Sequence, residues 1–234
     1  MAVPRPAAAA AASASAASRT PFVSSPIPPP PHRGAKMDVR DGALVWIDCE
    51  MTGLTDKDRI IEIACIITDG DLNPVDEGVQ YVIKTEKSVL DAMGPWCVSL
   101  PAFACRNYRE FMPTLLLPPT HLGQKRQHGE PHDHVRAAIL AYVLDRVPVK
   151  GQACLAGNSV HADKVFLDRE MPELTEHLSY RIVDVSSLKE LVSRWYGKAG
   201  IPNKASDHRA LSDIKGSIEE LKHYKTKFFR ASGK

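Results

Sequence analysis

The sequence lacks the patterns of several common protein classes. Its five cysteines are an odd number with no CxxC spacing, which argues against a disulfide scaffold or a cysteine-rich zinc module and favours a reducing compartment. No apolar run approaches the roughly 18 residues that a membrane-spanning helix needs, so we expect no membrane association. Hydrophobic residues nevertheless make up 44% of the 234 residues, enough for a folded domain.

The body of the chain also lacks a surplus of positive charge. Residues 1–36 contain four of the 30 basic residues and none of the 28 acidic ones, so residues 37–234 carry 26 basic against 28 acidic side chains. A slightly acidic body argues against a groove for duplex nucleic acid. It is compatible with a short anionic substrate, or with one that is reached through bound metal ions.

Residues 1–36 are rich in Ala, Ser and Pro, which predicts a disordered segment. A basic, Ser-rich and acid-poor N-terminal segment is typical of an organellar transit peptide, for a mitochondrion ahead of a plastid. The alternative is a low-complexity tail without a targeting role. Residues 37–234 are then the folded domain, and Met37 offers an internal start for a cytosolic form.

The first part of the folded domain has the pattern of a β-meander. Residues 43–51, 59–69 and 78–84 are apolar runs rich in branched or aromatic residues, each typical of a strand. Because the links between them are short, we expect the three strands to pair antiparallel.

The second part alternates between helical and strand patterns. We predict helices at 134–146 and 160–170, strands at 153–156 and 181–185, a helix that Ser187 and Glu190 open with a capping-box spacing, and a last helix from about Asp207. A meander followed by this alternation predicts an α/β fold with a mixed sheet flanked by helices.

Two carboxylates lie close together in the first predicted strand. Asp48 and Glu50 are two residues apart, and strand side chains alternate, so both leave the same face. Adjacent carboxylates in an apolar strand repel each other and are costly to remove from water, and a divalent cation removes that cost. The alternative is an edge strand whose polar face meets water.

Three further polar residues lie near the starts of predicted helices. Asp163 follows the turn after residues 153–156, where an acid also complements the helix dipole. His208 and Asp213 lie at the start of the last predicted helix, and their spacing of five residues puts the side chains about 140° apart. Helix geometry alone therefore does not direct both at one point, and a structural role remains open for all three.

Three motifs occur in order along the chain. They are IDCEMTGL at 47–54, AGNSVHADKVFL at 156–167 and HRALSDI at 208–214. Together they resemble the motifs of the DEDDh superfamily of 3′→5′ exonucleases. RIIEIA at 59–64 and YRIVDVSSLKEL at 180–191 narrow the resemblance to the oligoribonucleases.

This resemblance implies a ribonuclease H-like fold, a homodimer, and a 3′→5′ exoribonuclease that degrades short single-stranded RNA to nucleoside 5′-monophosphates. It implies His208 as the general base and four metal ligands, Asp48, Glu50, Asp163 and Asp213. Hard carboxylate oxygens suit two Mg²⁺ or Mn²⁺ ions. A histidine, with a reference pKa of about 6.5, accepts the proton of an attacking water near neutral pH.

The resemblance also implies four substrate contacts. Leu54 and Trp96 would hold the 3′ base between them, Ser159 would contact the phosphate, and Tyr180 would reach the active site of the other subunit. Stacking of this kind tolerates any base. From composition alone, Leu54 and Trp96 would be assigned to the hydrophobic core.

Residues 98–131 depart from the family pattern. They show no sustained periodicity, and four prolines between 101 and 119 break any long helix, so we expect disorder. The segment is either aberrant, as from a retained intron or a shifted frame, or a lineage-specific insert. The family's phosphate-capping histidine is missing here, so we expect selectivity for very short substrates to loosen.

Two other functions remain open. One is a DNA-directed exonuclease of the same superfamily, against which the oligoribonuclease-like segments at 59–64 and 180–191 argue. The other is an inactive RNA-binding or scaffold protein, in which residues 98–131 abolish turnover. The presence of all five implied catalytic side chains argues against it.

Overall fold

A mixed β-sheet forms the centre of the protein. The structure is a computed structural model that describes residues 42–92, 129–202 and 209–229. The strands within these ranges are β1 (Leu44–Met51), β2 (Ile60–Thr68), β3 (Val79–Val82), β4 (Cys154–Gly157) and β5 (Ser179–Asp184).

The strand order in the sheet is β3-β2-β1-β4-β5. β1 pairs antiparallel with β2, and β2 pairs antiparallel with β3. β4 joins the other side of β1 in parallel, and β5 joins β4 in parallel. The predicted meander followed by parallel strands is confirmed.

Helices flank this sheet. They are α1 (Lys87–Ala92), α2 (His132–Arg146), α3 (His161–Glu170), α4 (Pro172–His177), α5 (Val185–Tyr196) and α6 (Ala210–Phe228), with a short 3₁₀ turn at Lys198–Gly200. Within the described ranges, no helix has the length and apolarity to cross a membrane.

The two faces of the sheet bury separate hydrophobic clusters. On one face, β1 and β2 pack against α2, α3 and α4 through residues such as Ile47, Ile63 and Ile139. On the other face, Trp46 and Ile66 pack against α5 and α6. All nine residues of β2 are buried, because helices cover both of its faces.

The start of α5 differs from the prediction. α5 begins at Val185, and the carboxylate of Asp184 accepts hydrogen bonds from the backbone N–H and the hydroxyl of Ser186, at 3.0 and 2.6 Å. Asp184 is the last, extended residue of β5, so its side chain reaches the first free N–H groups before Ser187 does. The predicted capping box of Ser187 and Glu190 is therefore wrong.

Other boundaries also differ. α6 begins at Ala210, three residues after the predicted start near Asp207. The six-residue helices α1 and α4 were not predicted, because they are too short to show a helical period. The tail at 1–36 and residues 98–128 of the atypical segment lie outside the described residues, while Glu130 forms a parallel bridge with Ile83 beside β3.

A buried ion pair stabilises the helical layer away from α6. The Arg146 guanidinium, in α2, donates through Nε to Asp76 Oδ2 at 2.7 Å, and its Cζ atom lies 3.8 Å from the centre of the Tyr142 ring. The Tyr142 hydroxyl donates to Asp76 Oδ1 at 2.7 Å. Although burial opposes it, these bonds and the guanidinium charge hold the pKa of Asp76 below its ordinary value.

Candidate active site

β1 presents two carboxylates on the face of the sheet that α6 covers. Trp46 is buried in the cluster under α6, and strand alternation places Asp48 and Glu50 on the same face as Trp46. β1 lies between β2 and β4, so the alternative of an edge strand facing water is wrong. Glu50 is only 5% exposed, and Asp48 is half-buried.

α6 brings a third carboxylate to this face. Ala210 and Ile214 are buried in the same cluster as Trp46, which holds the first turn of α6 against the sheet. Asp213 belongs to that turn. One carboxylate oxygen from each of Asp48, Glu50 and Asp213 lies within 4.8 Å of the other two. Tertiary packing joins residues that are far apart in the chain.

This cluster fits a hard divalent cation. Mg²⁺ binds oxygen ligands at about 2.0–2.1 Å, so oxygens on opposite sides of one ion are about 4.2 Å apart. Three carboxylate oxygens within 4.8 Å of one another can therefore reach one ion after small side-chain rotations. The repulsion among the three carboxylates also favours a bound cation.

Asp163 lies beside the cluster, in the first turn of α3. β4 pairs with β1 only from Leu44 to Trp46, and beyond this the backbone N–H of Cys49 donates to Asp163 Oδ1 at 2.9 Å. Cys49 stands between Asp48 and Glu50, so this bond fixes Asp163 next to both. Burial raises the pKa of Asp163 to about 7, and the charge of Asp184 adds to the rise.

The turn between β4 and α3 has a constrained backbone. Ser159 has a φ of 58°, in the left-handed region that few residues other than glycine adopt. Its N–H donates to Asp184 Oδ1 at 2.8 Å, and the His161 ring lies 3.0 Å from Asp184 Oδ2. Asp184 therefore holds this turn as well as capping α5.

The loop between β1 and β2 carries Leu54. Asp58 closes the loop by accepting hydrogen bonds from the Thr52 hydroxyl at 2.7 Å and the Thr55 backbone N–H at 2.8 Å. A Cβ on Gly53 would lie 2.6 Å from that carboxylate, so a larger residue would displace the Asp58 side chain from these bonds. Leu54 is 43% exposed, which contradicts its alternative assignment to the core.

The structure brings some of the predicted site residues together and leaves others apart. Asp48, Glu50 and Asp213 form the cluster, Asp163 contacts it through Cys49, and Ser159 lies in the turn that precedes α3. Tyr180 is 78% exposed on β5. Trp96 and His208 lie outside the described residues.

Sequence reasoning missed three buried or partly buried carboxylates around this site. Asp184 holds the Ser159 turn, Glu62 lies opposite Glu50 in the β1–β2 ladder and accepts from the Gln80 amide, and Glu220 is 3% exposed in α6. Asp184 directly precedes the first residue of α5, a cap position that a search of the sequence could have found. An acid inside a strand or a long helix gives no such signal.

Comparisons with known proteins agree with this geometry. The sequence model of the exonuclease family matches residues 45–104 and 124–221. The chain is 43% identical over 197 residues to the Schizosaccharomyces pombe protein named "Probable oligoribonuclease", covering 84% of this chain and 72% of that one. It is 42% identical to the mitochondrial oligoribonuclease of Mus musculus, over 80% and 73% of the two chains, and 42% identical to the oligoribonuclease of Rhodococcus jostii, over 80% and 87%.

Solved structures share the fold at lower sequence identity. Exonuclease I superposes with a TM-score of 0.54 at 16% identity, and Escherichia coli exonuclease I bound to an oligonucleotide with a TM-score of 0.52 at 16% identity. In each case the match covers 80% of this chain but only 41% of exonuclease I. The α/β architecture with a mixed five-strand sheet is thus the exonuclease fold.

Proposed function

The chain belongs to the exonuclease family, and on this premise we propose that it is a 3′→5′ exoribonuclease that degrades short oligoribonucleotides to nucleoside 5′-monophosphates. One observation carries the proposal. In a chain about 40% identical to oligoribonucleases, β1 and α6 bring the carboxylates of Asp48, Glu50 and Asp213 within 4.8 Å of one another.

The proposed ligands of two Mg²⁺ or Mn²⁺ ions are Asp48, Glu50, Asp163 and Asp213. Carboxylate oxygens are the ligands that these ions prefer, and the 4.8 Å cluster meets the requirement of spacing. When bound, the ions would stabilise the negative charge that develops on the phosphate and on the leaving oxygen. The protein holds the four carboxylates on three elements of the sheet and its helices, so that they stay in place in the absence of substrate.

His208 is the proposed general base, which takes the proton of the attacking water at an imidazole nitrogen. Its support is its position in the sequence, two residues before α6 and five before Asp213, which reaches the carboxylate cluster. A histidine titrates near neutral pH, so it can both accept and release that proton.

Four residues are proposed to bind the RNA. Leu54 is exposed on a loop that Asp58 holds closed, which suits a hydrophobic side chain that packs against a base. Trp96 would pack on the other side of that base. Ser159 lies in the turn that Asp184 fixes beside Asp163, where it would contact the phosphate. Tyr180 is the proposed contribution of a second subunit.

The exposed side of β5 supports a homodimer. β5 is an edge strand, and two of its side chains on one face, Tyr180 and Ile182, are 78% and 37% exposed. On α5, Leu191 and Trp195 are 37% and 68% exposed and lie one turn apart. Exposed apolar side chains on a strand at the edge of the described sheet, and on the helix that follows it, favour association with a second copy. Sedimentation velocity of the full chain and of a Trp195→Glu variant tests the dimer.

A mitochondrial location is proposed from two observations. Residues 1–36 have the composition of a transit peptide, and the mouse, bovine and human relatives are named mitochondrial oligoribonucleases. A reporter protein fused to residues 1–36 should enter mitochondria. Plastid import or a diffuse cytosolic signal would contradict this location.

Residues 37–234 are proposed to form the exonuclease domain, with 98–131 as its atypical part. The match to the family leaves residues 105–123 unmatched, inside that segment. Because the four proposed metal ligands lie outside the segment, we expect chemistry to persist while substrate-length selectivity weakens.

The test is hydrolysis of end-labelled RNA of two to seven nucleotides, and of matched DNA, by residues 37–234 with Mg²⁺, Mn²⁺ or EDTA. We expect release of nucleoside 5′-monophosphates from the 3′ end of RNA, complete inhibition by EDTA, and weaker activity on DNA. Asp213→Asn is the matched inactive control. Preference for DNA would support the other exonuclease class, and RNA binding without turnover at any length would support the scaffold.

A further inference from the structure

Glu220 is a buried carboxylate outside the proposed ligand set. It is 3% exposed, in the third turn of α6. The Tyr224 hydroxyl donates to its Oε1 at 2.8 Å, and the Asn158 side-chain amide donates to its Oε2 at 3.0 Å. Burial and the Glu220 carboxylate raise the pKa of Tyr224, so its hydroxyl stays protonated and donates. Both oxygens of Glu220 therefore have hydrogen-bond donors.

The bond from Asn158 joins two elements that carry proposed metal ligands. Asn158 directly follows β4 and begins the turn that leads through Ser159 to Asp163. Glu220 lies seven residues after Asp213, which is close to two helical turns, so both side chains share one face of α6 about 10 Å apart along the axis. The contact thus links the helix of Asp213 to the turn that precedes Asp163.

Apolar packing alone would leave this link loose. Ile214 and Ile218 hold α6 on the sheet, but hydrophobic contacts have no preferred direction. Hydrogen bonds to a buried carboxylate do have direction, and a well-packed apolar residue at 220 would give equal or greater stability without it. The hydrogen bond between Asn158 and Glu220 therefore affects the orientation of α6 on the sheet more than it adds to the stability of the fold.

We propose that Glu220 is a positioning residue, which fixes the rotation and height of α6 against the β4–α3 turn and so sets the placement of Asp213 relative to the other proposed ligands. The inference rests on the proposed function, because it concerns the same metal site. It assigns to a residue that touches neither metal nor RNA a measurable effect on cation affinity.

The experiment uses titration calorimetry of the full chain without substrate. It compares Mn²⁺ binding in wild type, Glu220→Ala and Glu220→Gln. Circular dichroism identifies a temperature at which all three proteins are folded, and binding is measured there. We expect Glu220→Ala to weaken Mn²⁺ binding by about tenfold or more, as loss of partners behind metal ligands does. Glu220→Gln, which keeps a side chain of the same size that can bond Tyr224 and Asn158, should stay within about threefold of wild type.

Ile139→Val is the control for stability. Ile139 is buried in the cluster between α2 and the sheet, on the face opposite α6, so the loss of one methyl group should lower Tm and leave Mn²⁺ affinity unchanged. If Glu220→Ala does not fold, Tyr224→Phe removes one donor at nearly constant volume and should weaken Mn²⁺ binding by about threefold.

Two results separate this inference from the function on which it rests. Wild-type Mn²⁺ affinity in Glu220→Ala, or in Tyr224→Phe where that variant replaces it, would overturn the positioning role while the proposed function stands. A wild-type chain that binds no Mn²⁺ would overturn both. A loss of affinity in Glu220→Gln as large as in Glu220→Ala would also overturn positioning by hydrogen bonds.

Discussion

Asp76 and Asp163 are two partly or fully buried carboxylates that the fold treats in opposite ways. Asp76 accepts from a tyrosine hydroxyl and a buried guanidinium, which together keep its pKa low despite burial. Asp163 accepts from the Cys49 backbone N–H, and burial raises its pKa to about 7. An arginine supplied by the chain neutralises the first, whereas the second lies beside a cluster of further carboxylates. The difference teaches that the chain itself neutralises one carboxylate, whereas the other region keeps a charge repulsion that the proposed cations would relieve.

The largest expected effect is on activity. Asp213→Asn removes one of the clustered charges but keeps the side-chain shape, so the protein should fold while turnover of short RNA falls by at least about 10³-fold, equivalent to several kcal/mol of transition-state stabilisation. Initial rates with Mg²⁺, together with circular dichroism, provide the measurement. Asp76→Asn is the matched control, with wild-type turnover at a temperature where it is folded. Comparable losses of turnover in Asp213→Asn and Asp76→Asn would show that the two regions do not differ in function.

A loss of stability is expected at the other carboxylate. Asp76→Ala removes the closer of two acids beside the buried Arg146 guanidinium, the other being Asp145 at 3.6 Å, and should cost about 3 kcal/mol of unfolding free energy at pH 7. A carboxyl whose folded pKa is depressed stabilises the protein above its unfolded pKa of about 3.9, and this stabilisation is lost as the pH falls through the folded pKa. Urea unfolding of wild type and variant should therefore show a gap that narrows below about pH 4. A gap independent of pH would mean that packing, not charge, is lost.

A smaller change in stability, opposite in sign to that of Asp76→Ala, is expected for Asp163→Asn in EDTA. A carboxyl with a raised folded pKa favours the fold below its unfolded pKa of about 3.9, and this contribution is lost as the pH rises through about 7. Asp163→Asn does not titrate, so it should be more stable than wild type at pH 8, and this difference should nearly vanish near pH 4. Thermal unfolding in EDTA at the two pH values checks this. Saturating Mn²⁺ should reverse the order at pH 8, because only the wild type binds it well.

The smallest effect is expected where an ion pair lies at the surface. Lys222 and Glu219 are 2.8 Å apart on α6, with side chains 35% and 70% exposed. Exposed helical pairs three or four residues apart contribute about 0.2–0.5 kcal/mol, so Lys222→Ala should shift Tm by no more than about 2 °C. A loss as large as that of Asp76→Ala would show that burial does not separate the two ion pairs.

Local pattern was sufficient for most of the fold and for two of the three residues of the carboxylate cluster. Alternation in an apolar strand placed Asp48 and Glu50 on one face before any partner was known. Helical spacing did not direct Asp213 at them, because the docking of α6 on Trp46 and Ile66 does so, and docking is not encoded in spacing. The family motifs supplied that residue instead.

Other features depended on neighbours that are distant in sequence. Glu220 looks like an ordinary acid on a charged helix until Asn158, 62 residues earlier, meets it. Leu54 looks like core because leucine usually is, yet Asp58 turns its loop outward. Burial and hydrogen bonds between distant parts of the chain determine the roles of these two residues. Neither can be read from a short stretch of sequence.

The strand order has a consequence for how the protein is made. β1, β2 and β3 are consecutive in the chain and pair through short links, so the strands around Asp48 and Glu50 can begin to pair before the covering helices are synthesised. β4, which pairs with β1, begins only about seventy residues after the end of β3, and α6 must follow before Asp213 meets its partners. During translation, Asp48 and Glu50 are therefore made long before the carboxylate cluster is complete. Degradation of RNA near the ribosome cannot begin until the last of these elements has docked.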